Sequence, residues 1–294
     1  MTTLYVCDLD GTLLGPEASP SAFTVDTVNG LVAHGVHVAV ATARSAVSLR
    51  RVVGDLDLRG PACVYGGAFV VDLSTGETLV QRVLDTAVVD GILDVFARTG
   101  TSPLVYSLDP AAEASEETVA GAGEHADTVG WVRGHEGPGI AWYLGDRGDD
   151  PRFRPVDSPA DLTREGTFSI VALAPESDLE PVRRTIEREF AGHVTATLQE
   201  ETYLPGIYWL ELAAPGADKG HGVLELKSLL GADRVVVFGD NRNDLAMFRV
   251  ADASYAVANA SAEVREAATG VIGSNADDGV AHWLAAHARV PARR

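Results

Sequence analysis

The chain has 294 residues, 46% of them hydrophobic, enough for one large or two ordinary domains with a filled core. Its 42 acidic residues outnumber 23 Lys and Arg, for a formal charge of -19. Such a surface repels a phosphate backbone, so nucleic acid and anionic membranes are excluded as expected partners.

There is no apolar run of about 18 residues, so no transmembrane helix is expected. The first residues lack a basic segment followed by an apolar stretch and a cleavage site, and enter a short apolar strand at once. Cys7 and Cys63, the two cysteines, lie in apolar strand-like runs and read as buried thiols of a reducing compartment. Cytoplasmic localisation is the expectation.

In chain order, residues 3–7 form an apolar run that stops at Asp8. Apolar spacing at Val25, Val28, Leu31 and Val32 predicts a helix, followed by a strand at 36–41 and a helix beyond Ser45. A strand at 62–65 precedes 68–82, which reads as a hairpin turning at Ser74-Thr75-Gly76. Helical patterns follow around 88–96 and 179–190, with strand candidates at 103–107, 141–144, 167–173 and 194–198. Between them, 109–139 and 145–161 are rich in Gly, Pro, Asp and Glu and read as loops or short helices. The tail alternates again: helix near 219–230, strand 234–238, helix near 243–249, strand 255–258, helix near 261–268, strand 271–273, helix near 277–287. Strands alternating with helices indicate βαβ units on a mainly parallel sheet. The expected fold is α/β: a Rossmann-like parallel-sheet core from residues 1–82 and 206–294, with a smaller α/β domain inserted at 83–205.

Asp8-Leu9-Asp10-Gly11-Thr12 and Gly239-Asp240-Asn241-Arg242-Asn243-Asp244 each follow an apolar strand. In an open parallel sheet, ligands bind outside the carboxyl ends of the strands. Either cluster alone could be an Asx turn or a helix cap. Both in one crevice would crowd carboxylates that repel one another unless a cation intervenes. Oxygen donors of this kind suit Mg²⁺. Thr42, before the helix that follows Ser45, could help bind an anion or simply cap. Lys219 opens a helix, where its charge opposes the helix dipole, which favours a functional reason for it over a solvated one.

These segments resemble the four ordered motifs of the haloacid-dehalogenase-like (HAD) phosphatase superfamily. The finer resemblance is to Cof-type hydrolases, echoed by Ala258-Asn259-Ala260 with Glu263-Val264 and by Ser274-Asn275-Ala276-Asp277-Asp278-Gly279-Val280. The family usually carries Asn where Gly66 stands and Gly where Ala43 stands. The resemblance implies a Mg²⁺-dependent phosphatase acting on a small phosphorylated metabolite through an aspartyl-phosphate. It implies Asp8 as nucleophile and Asp10 as acid–base. The Asp8 carboxylate, the Asp10 backbone carbonyl and Asp240 would hold the metal, with Asp244 orienting its shell. Thr42, Lys219 and Asn243 would bind the phosphoryl group.

By the same resemblance the insert is a cap that selects the leaving group. Candidate readers are Arg44 in the core and Arg133, His135 and Arg147 in the insert; Trp131, Trp142 and Tyr143 fit its core better than a stacking platform. The expected assembly is a monomer or small homo-oligomer. A phosphosugar mutase of the same superfamily and a non-catalytic phospho-acceptor or binding module are the alternatives. A sugar bisphosphate assay separates the first, and Asp10 argues against the second, because a paired acid–base hastens loss of the phosphoryl group.

Overall fold

The computed structural model describes residues 1–108, 127–201 and 204–290, and the chain divides into two compact units, Met1–Gln81 with Gly216–Arg294 and Arg82–Pro215. In the first unit β1 (Thr3–Cys7), with α1 (Ala22–Ala33), β2 (His37–Val40) and α2 (Ala46–Val52), forms one side of a parallel sheet. A three-stranded antiparallel sheet, β3 (Pro61–Val64), β4 (Phe69–Asp72) and β5 (Thr78–Gln81), follows. Its hairpin closes as an Asx turn, with Asp72 Oδ1 accepting from the amides of Ser74 at 2.8 Å and Thr75 at 3.0 Å.

In the second unit, α3 (Thr86–Thr99) buries Val88, Val89, Ile92, Leu93, Val95 and Phe96 on one side, is capped by Asp85 and ends on left-handed Gly100. The strands are β6 (Leu104–Leu108), β7 (Asp127–Val132), β8 (Phe153–Val156), β9 (Thr167–Ala174), β10 (Thr195–Glu200) and β11 (Tyr208–Ala213). They form one six-stranded sheet in the order β10-β11-β9-β6-β7-β8, antiparallel except between β7 and β8. Helices α4 (Pro138–Arg147) and α5 (Glu176–Glu189) belong to the same unit.

Four sequence expectations change here. The apolar run 141–144 is not a strand but the middle of α4, which starts with Pro138 at its first turn and packs Ile140 and Tyr143 against Leu104, Val129, Trp131, Val171 and Leu173. Residues 127–132 and 153–156, expected in loops, are β7 and β8. Part of the expected loop, 109–126, lies outside the described residues. The second junction falls at Pro215/Gly216 rather than after 205, because β11 pairs with β9 and β10.

The chain then returns to the first unit through α6 (Lys219–Leu229), β12 (Arg234–Gly239), α7 (Leu245–Val250), β13 (Ala253–Val257), α8 (Ala262–Ala267), β14 (Gly270–Ile272) and α9 (Gly279–His287). The parallel sheet runs β14-β13-β12-β1-β2. From α9, Trp283 spreads over Tyr5, Phe238 and Tyr255, at ring distances of 6.2, 5.1 and 4.6 Å, tying three adjacent strands together. Successive connections leave the β1–β12 pair in opposite directions, which opens a crevice at the carboxyl ends of those two strands. Among the described residues no helix is long and apolar enough to cross a membrane.

Gly67, in the turn between β3 and β4, has φ +112, and a Cβ there would overlap the carbonyl of Asp218, the residue that caps α6. Gly67→Ala should therefore cost about 2 kcal/mol or more, read as a lowered denaturant midpoint. An unchanged midpoint would mean that the α6 start is not seated on this turn.

Candidate active site

Parallel pairing of β1 with β12 sets Cys7 opposite Phe238, and the Asp8 amide continues it by donating to the Phe238 carbonyl at 2.9 Å. Asp8 and Asp240 thereby emerge side by side from the two central strands. The chain after Asp8 turns at once: Asp10 has ψ 120 and Gly11 φ +77, inside a turn closed by the Leu13 amide on the Asp8 carbonyl at 3.2 Å. Gly11 is required twice over, since a Cβ there would also stand 2.5 Å from Asp240 Oδ2.

The Lys219 ammonium is buried and donates to Asp8 Oδ1 and Asp244 Oδ1, each at 2.6 Å. Asp244 Oδ2 accepts from the amides of Asp240 at 2.9 Å and Asn241 at 3.0 Å, so both of its oxygens are engaged. Asp240 Oδ1 accepts from the Thr12 hydroxyl at 3.1 Å. Asp8, Asp240 and Asp244 each offer a carboxylate oxygen, all within 4.8 Å of one another. The sequence motif contained Thr12, but nothing in it assigned Thr12 to Asp240; only the fold brings them together.

Three carboxylates against one ammonium leave the cluster net negative, and its proton affinities follow. Burial pushes the Asp8 carboxyl up to about 7, with Lys219 pulling the other way and Asp244 and Asp240 adding to the rise. Asp240 is raised by burial and by Asp244. Burial works against the Lys219 charge, yet Asp8 and Asp244 outweigh it and hold the ammonium firmly protonated. A divalent cation fits this donor set: its ligands are oxygens, they already converge, and one or more would otherwise gain a proton.

Asp10 does not point its carboxylate into this cluster. Both its oxygens are held by Arg44, Nε to Oδ2 at 2.7 Å and Nη2 to Oδ1 at 2.6 Å, so only its backbone carbonyl remains in question as a metal ligand. Arg44 also donates from Nη1 to Ser48 Oγ at 2.8 Å, and its amide donates to the Thr42 hydroxyl at 3.1 Å. Thr42 is buried just past β2, its amide on the Cys63 carbonyl at 2.9 Å, and its hydroxyl proton is left to donate. Asn243 is exposed on the turn between β12 and α7. Gly66 has φ +62 with open space at its Cβ position, a conformation that Asn tolerates, and Ala43 is exposed, so neither departure from the family pattern disturbs the backbone.

The insert's candidates fare differently. Arg133 pairs with Asp157 at 3.0 Å and is exposed, and His135 Nδ1 meets the Arg133 carbonyl at 3.1 Å. Arg147 lies 4.2 Å from the centre of the Tyr143 ring, whose hydroxyl bonds that of Tyr106 at 2.6 Å. Trp131 and Tyr143 are core residues of the second unit, and Trp142 packs against the same cluster.

Comparison with known proteins agrees with this geometry. Residues 5–284 match the family model of haloacid dehalogenase-like hydrolases. The chain is 26% identical to YwtE of Bacillus subtilis, named as a 5-amino-6-(5-phospho-D-ribitylamino)uracil phosphatase, over 94% of this chain and 95% of that protein. It is 24% identical to the pyridoxal phosphate phosphatase YbhA of Escherichia coli, over 98% and 99% of the two chains. A haloacid dehalogenase-like hydrolase from Bacteroides thetaiotaomicron shares the fold at TM-score 0.74 and 22% identity, covering 97% of this chain and 98% of that one. With the model match spanning nearly its whole length, the chain belongs to the haloacid dehalogenase-like hydrolases, of the Cof type.

Proposed function

We propose that the protein is a Mg²⁺-dependent phosphatase of small phosphorylated metabolites, working through a phosphoryl group carried on Asp8. The observation that carries this reading is the buried Lys219 ammonium bridging Asp8 and Asp244 beside Asp240. A structural ion pair needs one carboxylate, whereas three around one ammonium hold space for a second cation and an anionic substrate. The names of YwtE and YbhA, both phosphatases of small phosphorylated molecules, support the substrate class.

In this scheme an Asp8 oxygen attacks phosphorus, and the bond to the leaving alkoxide breaks as Asp10 gives that oxygen its proton. Water then attacks the same phosphorus and loses its proton to the Asp10 carboxylate. The bond to Asp8 breaks, and inorganic phosphate leaves. Splitting the transfer replaces one difficult displacement by two easier ones. Asp8 and Asp240, with the Asp10 carbonyl, would hold Mg²⁺, which offsets the repulsion between carboxylate and phosphate and polarises the phosphoryl oxygens. Lys219 holds one oxygen of Asp8, fixing the rotamer of the nucleophile. Asp244 keeps Lys219 in register and ties its amide contacts to the start of the turn. The hydroxyl of Thr42 and the side chain of Asn243 are the neutral donors toward phosphoryl oxygens. The second unit would discriminate among leaving groups, with Arg133, His135 and Arg147 as its first candidates.

Asp8→Asn keeps the shape and removes the attacking charge. Turnover of p-nitrophenyl phosphate with Mg²⁺ should fall on the order of 10³-fold or more, and chelation of the wild type should abolish it reversibly. More than a tenth of wild-type turnover in the variant would sink the assignment.

A pH dependence follows from Asp8. Its carboxyl binds a proton more tightly folded, near 7, than at its ordinary value of 3.8. That contribution favours the fold at low pH, declines as pH rises between these values and levels off above them. The thermal midpoint of metal-free protein should therefore fall, relative to that of Asp8→Asn, as pH goes from 5 to 8. Mg²⁺ should raise the wild-type midpoint more at pH 8 than at pH 5. A larger Mg²⁺ effect at pH 5 would contradict the cluster's charge.

Finally, Arg147→Ala or Arg133→Ala should change the ranking of kcat/KM among phosphate esters and leave acetyl phosphate turnover within about twofold. Equal losses for every substrate would remove these residues from the specificity role.

A further inference from the structure

Two asparagines hold the Asp10 turn from outside, and the chemistry above gives them no part. Asn259 Nδ2 donates to the Gly11 carbonyl at 2.7 Å, and Asn275 Nδ2 donates to the Leu14 carbonyl at 2.9 Å. The Asn275 amide donates to Asn259 Oδ1 at 3.0 Å, which links the two grips into one chain of bonds. Asn259 lies just beyond β13, and Asn275 opens the short turn before α9, so each reaches across some 250 residues of sequence. Asn259 is exposed and Asn275 half-buried, so filling the core is not the reason for either.

The turn they hold has little regularity of its own. Asp10 and Gly11 both leave helical backbone, and the carbonyl that Asn259 grips belongs to the residue directly after Asp10. Gly11 is bonded directly to the Asp10 carbonyl carbon, so a displacement of Gly11 carries the Asp10–Gly11 peptide, and with it the Asp10 carbonyl and the base of its side chain. The grip also has to be uncharged. Asp240 Oδ2 comes within 2.5 Å of where a Gly11 Cβ would be, and a cationic clamp there would compete for the carboxylates that Lys219 and a metal need. An Asn supplies a neutral donor for Gly11 and, on the same group, the acceptor that Asn275 uses.

We propose that Asn259 and Asn275 form one positioning unit that fixes the Asp10 turn, and with it the aim of the Asp10 carboxyl at the leaving-group oxygen. This rests on the phosphatase reading. A mispositioned acid matters most where the leaving group needs its proton, so the consequence depends on the ester.

The test uses full-length Asn259→Ala, Asn275→Ala and the double variant, with Asn259→Ser as a smaller polar change that falls short of Gly11. Kinetics are measured with Mg²⁺ on p-nitrophenyl phosphate and on phenyl phosphate, whose leaving group is poorer. Each single change should lower kcat on phenyl phosphate about tenfold, with KM within about threefold and a smaller loss on p-nitrophenyl phosphate. The double variant should lose no more than about threefold beyond the worse single one, because both grips serve the same turn. Circular dichroism and thermal midpoints identify the folded variants; if an Ala variant does not fold, Asn259→Ser carries the same comparison. Folded variants with kcat within twofold of wild type, equal losses on both esters, or losses that multiply would overturn the proposal. Asp8→Asn run alongside separates the two claims. If it keeps turnover, the phosphatase reading falls; if it is inactive while the Asn variants are normal, the positioning claim alone falls.

Discussion

A buried ammonium stays charged only if it is partnered, and Lys219 meets that demand with two carboxylates drawn from different stretches of the chain. Asp8 stands 211 residues before it and Asp244 25 residues after it. Removing one partner of such a pair costs about 3–5 kcal/mol. The cluster therefore fixes β1, β12 and the first turn of α6 with respect to one another. It also explains why the first unit is assembled from both ends of the chain. Lys219 opposes the helix dipole of α6, a local disadvantage that the carboxylates offset.

The same cluster accounts for the contrast between global and local charge. A chain carrying -19 repels anions, and the carboxylates of Asp8, Asp240 and Asp244, the proposed nucleophile and metal site, add to that repulsion. Positive charge has to be supplied at the spot. Lys219 is engaged by Asp8 and Asp244, and Arg44 by Asp10, and a divalent cation is a further source that the donor set accommodates.

The catalytic half of the fold was legible because its signals are local. Apolar runs buried on both faces mark parallel strands, and an acidic residue directly after such a run marks the strand's carboxyl end. The second unit was harder to read for physical reasons. Gly130 interrupts β7 and Pro155 interrupts the short β8, so neither presented an apolar run. In α4 the apolar run Ala141-Trp142-Tyr143-Leu144 imitated a strand, and Pro138 at the first turn pointed to a helix. β11 was not among the expected strands, although Leu210 and Leu212 flank Glu211, and nothing local says which sheet such a strand joins. At the site, residue types were readable and pairings were not. Arg44 was expected near substrate, and that it clasps Asp10 depends on a tertiary approach across 34 residues.

That clasp differs in kind from the Lys219 cluster. The Asp10 side chain is 51% exposed and that of Arg44 23%, whereas Lys219, Asp8 and Asp244 are nearly sealed. A water-facing ion pair contributes about 0–1 kcal/mol, so exchanging one partner for another anion costs little. The proposed chemistry asks for this asymmetry. The nucleophile must be held in one rotamer, which a buried, twice-bonded ammonium does. The acid–base must give and take a proton in turn, which a carboxylate locked in a buried pair could not do. The exposed pair can open, while the backbone beneath it stays fixed by bonds from Asn259 and Asn275. Rigidity thus resides in the main chain of the Asp10 turn, and freedom is confined to the one side chain whose protonation has to change.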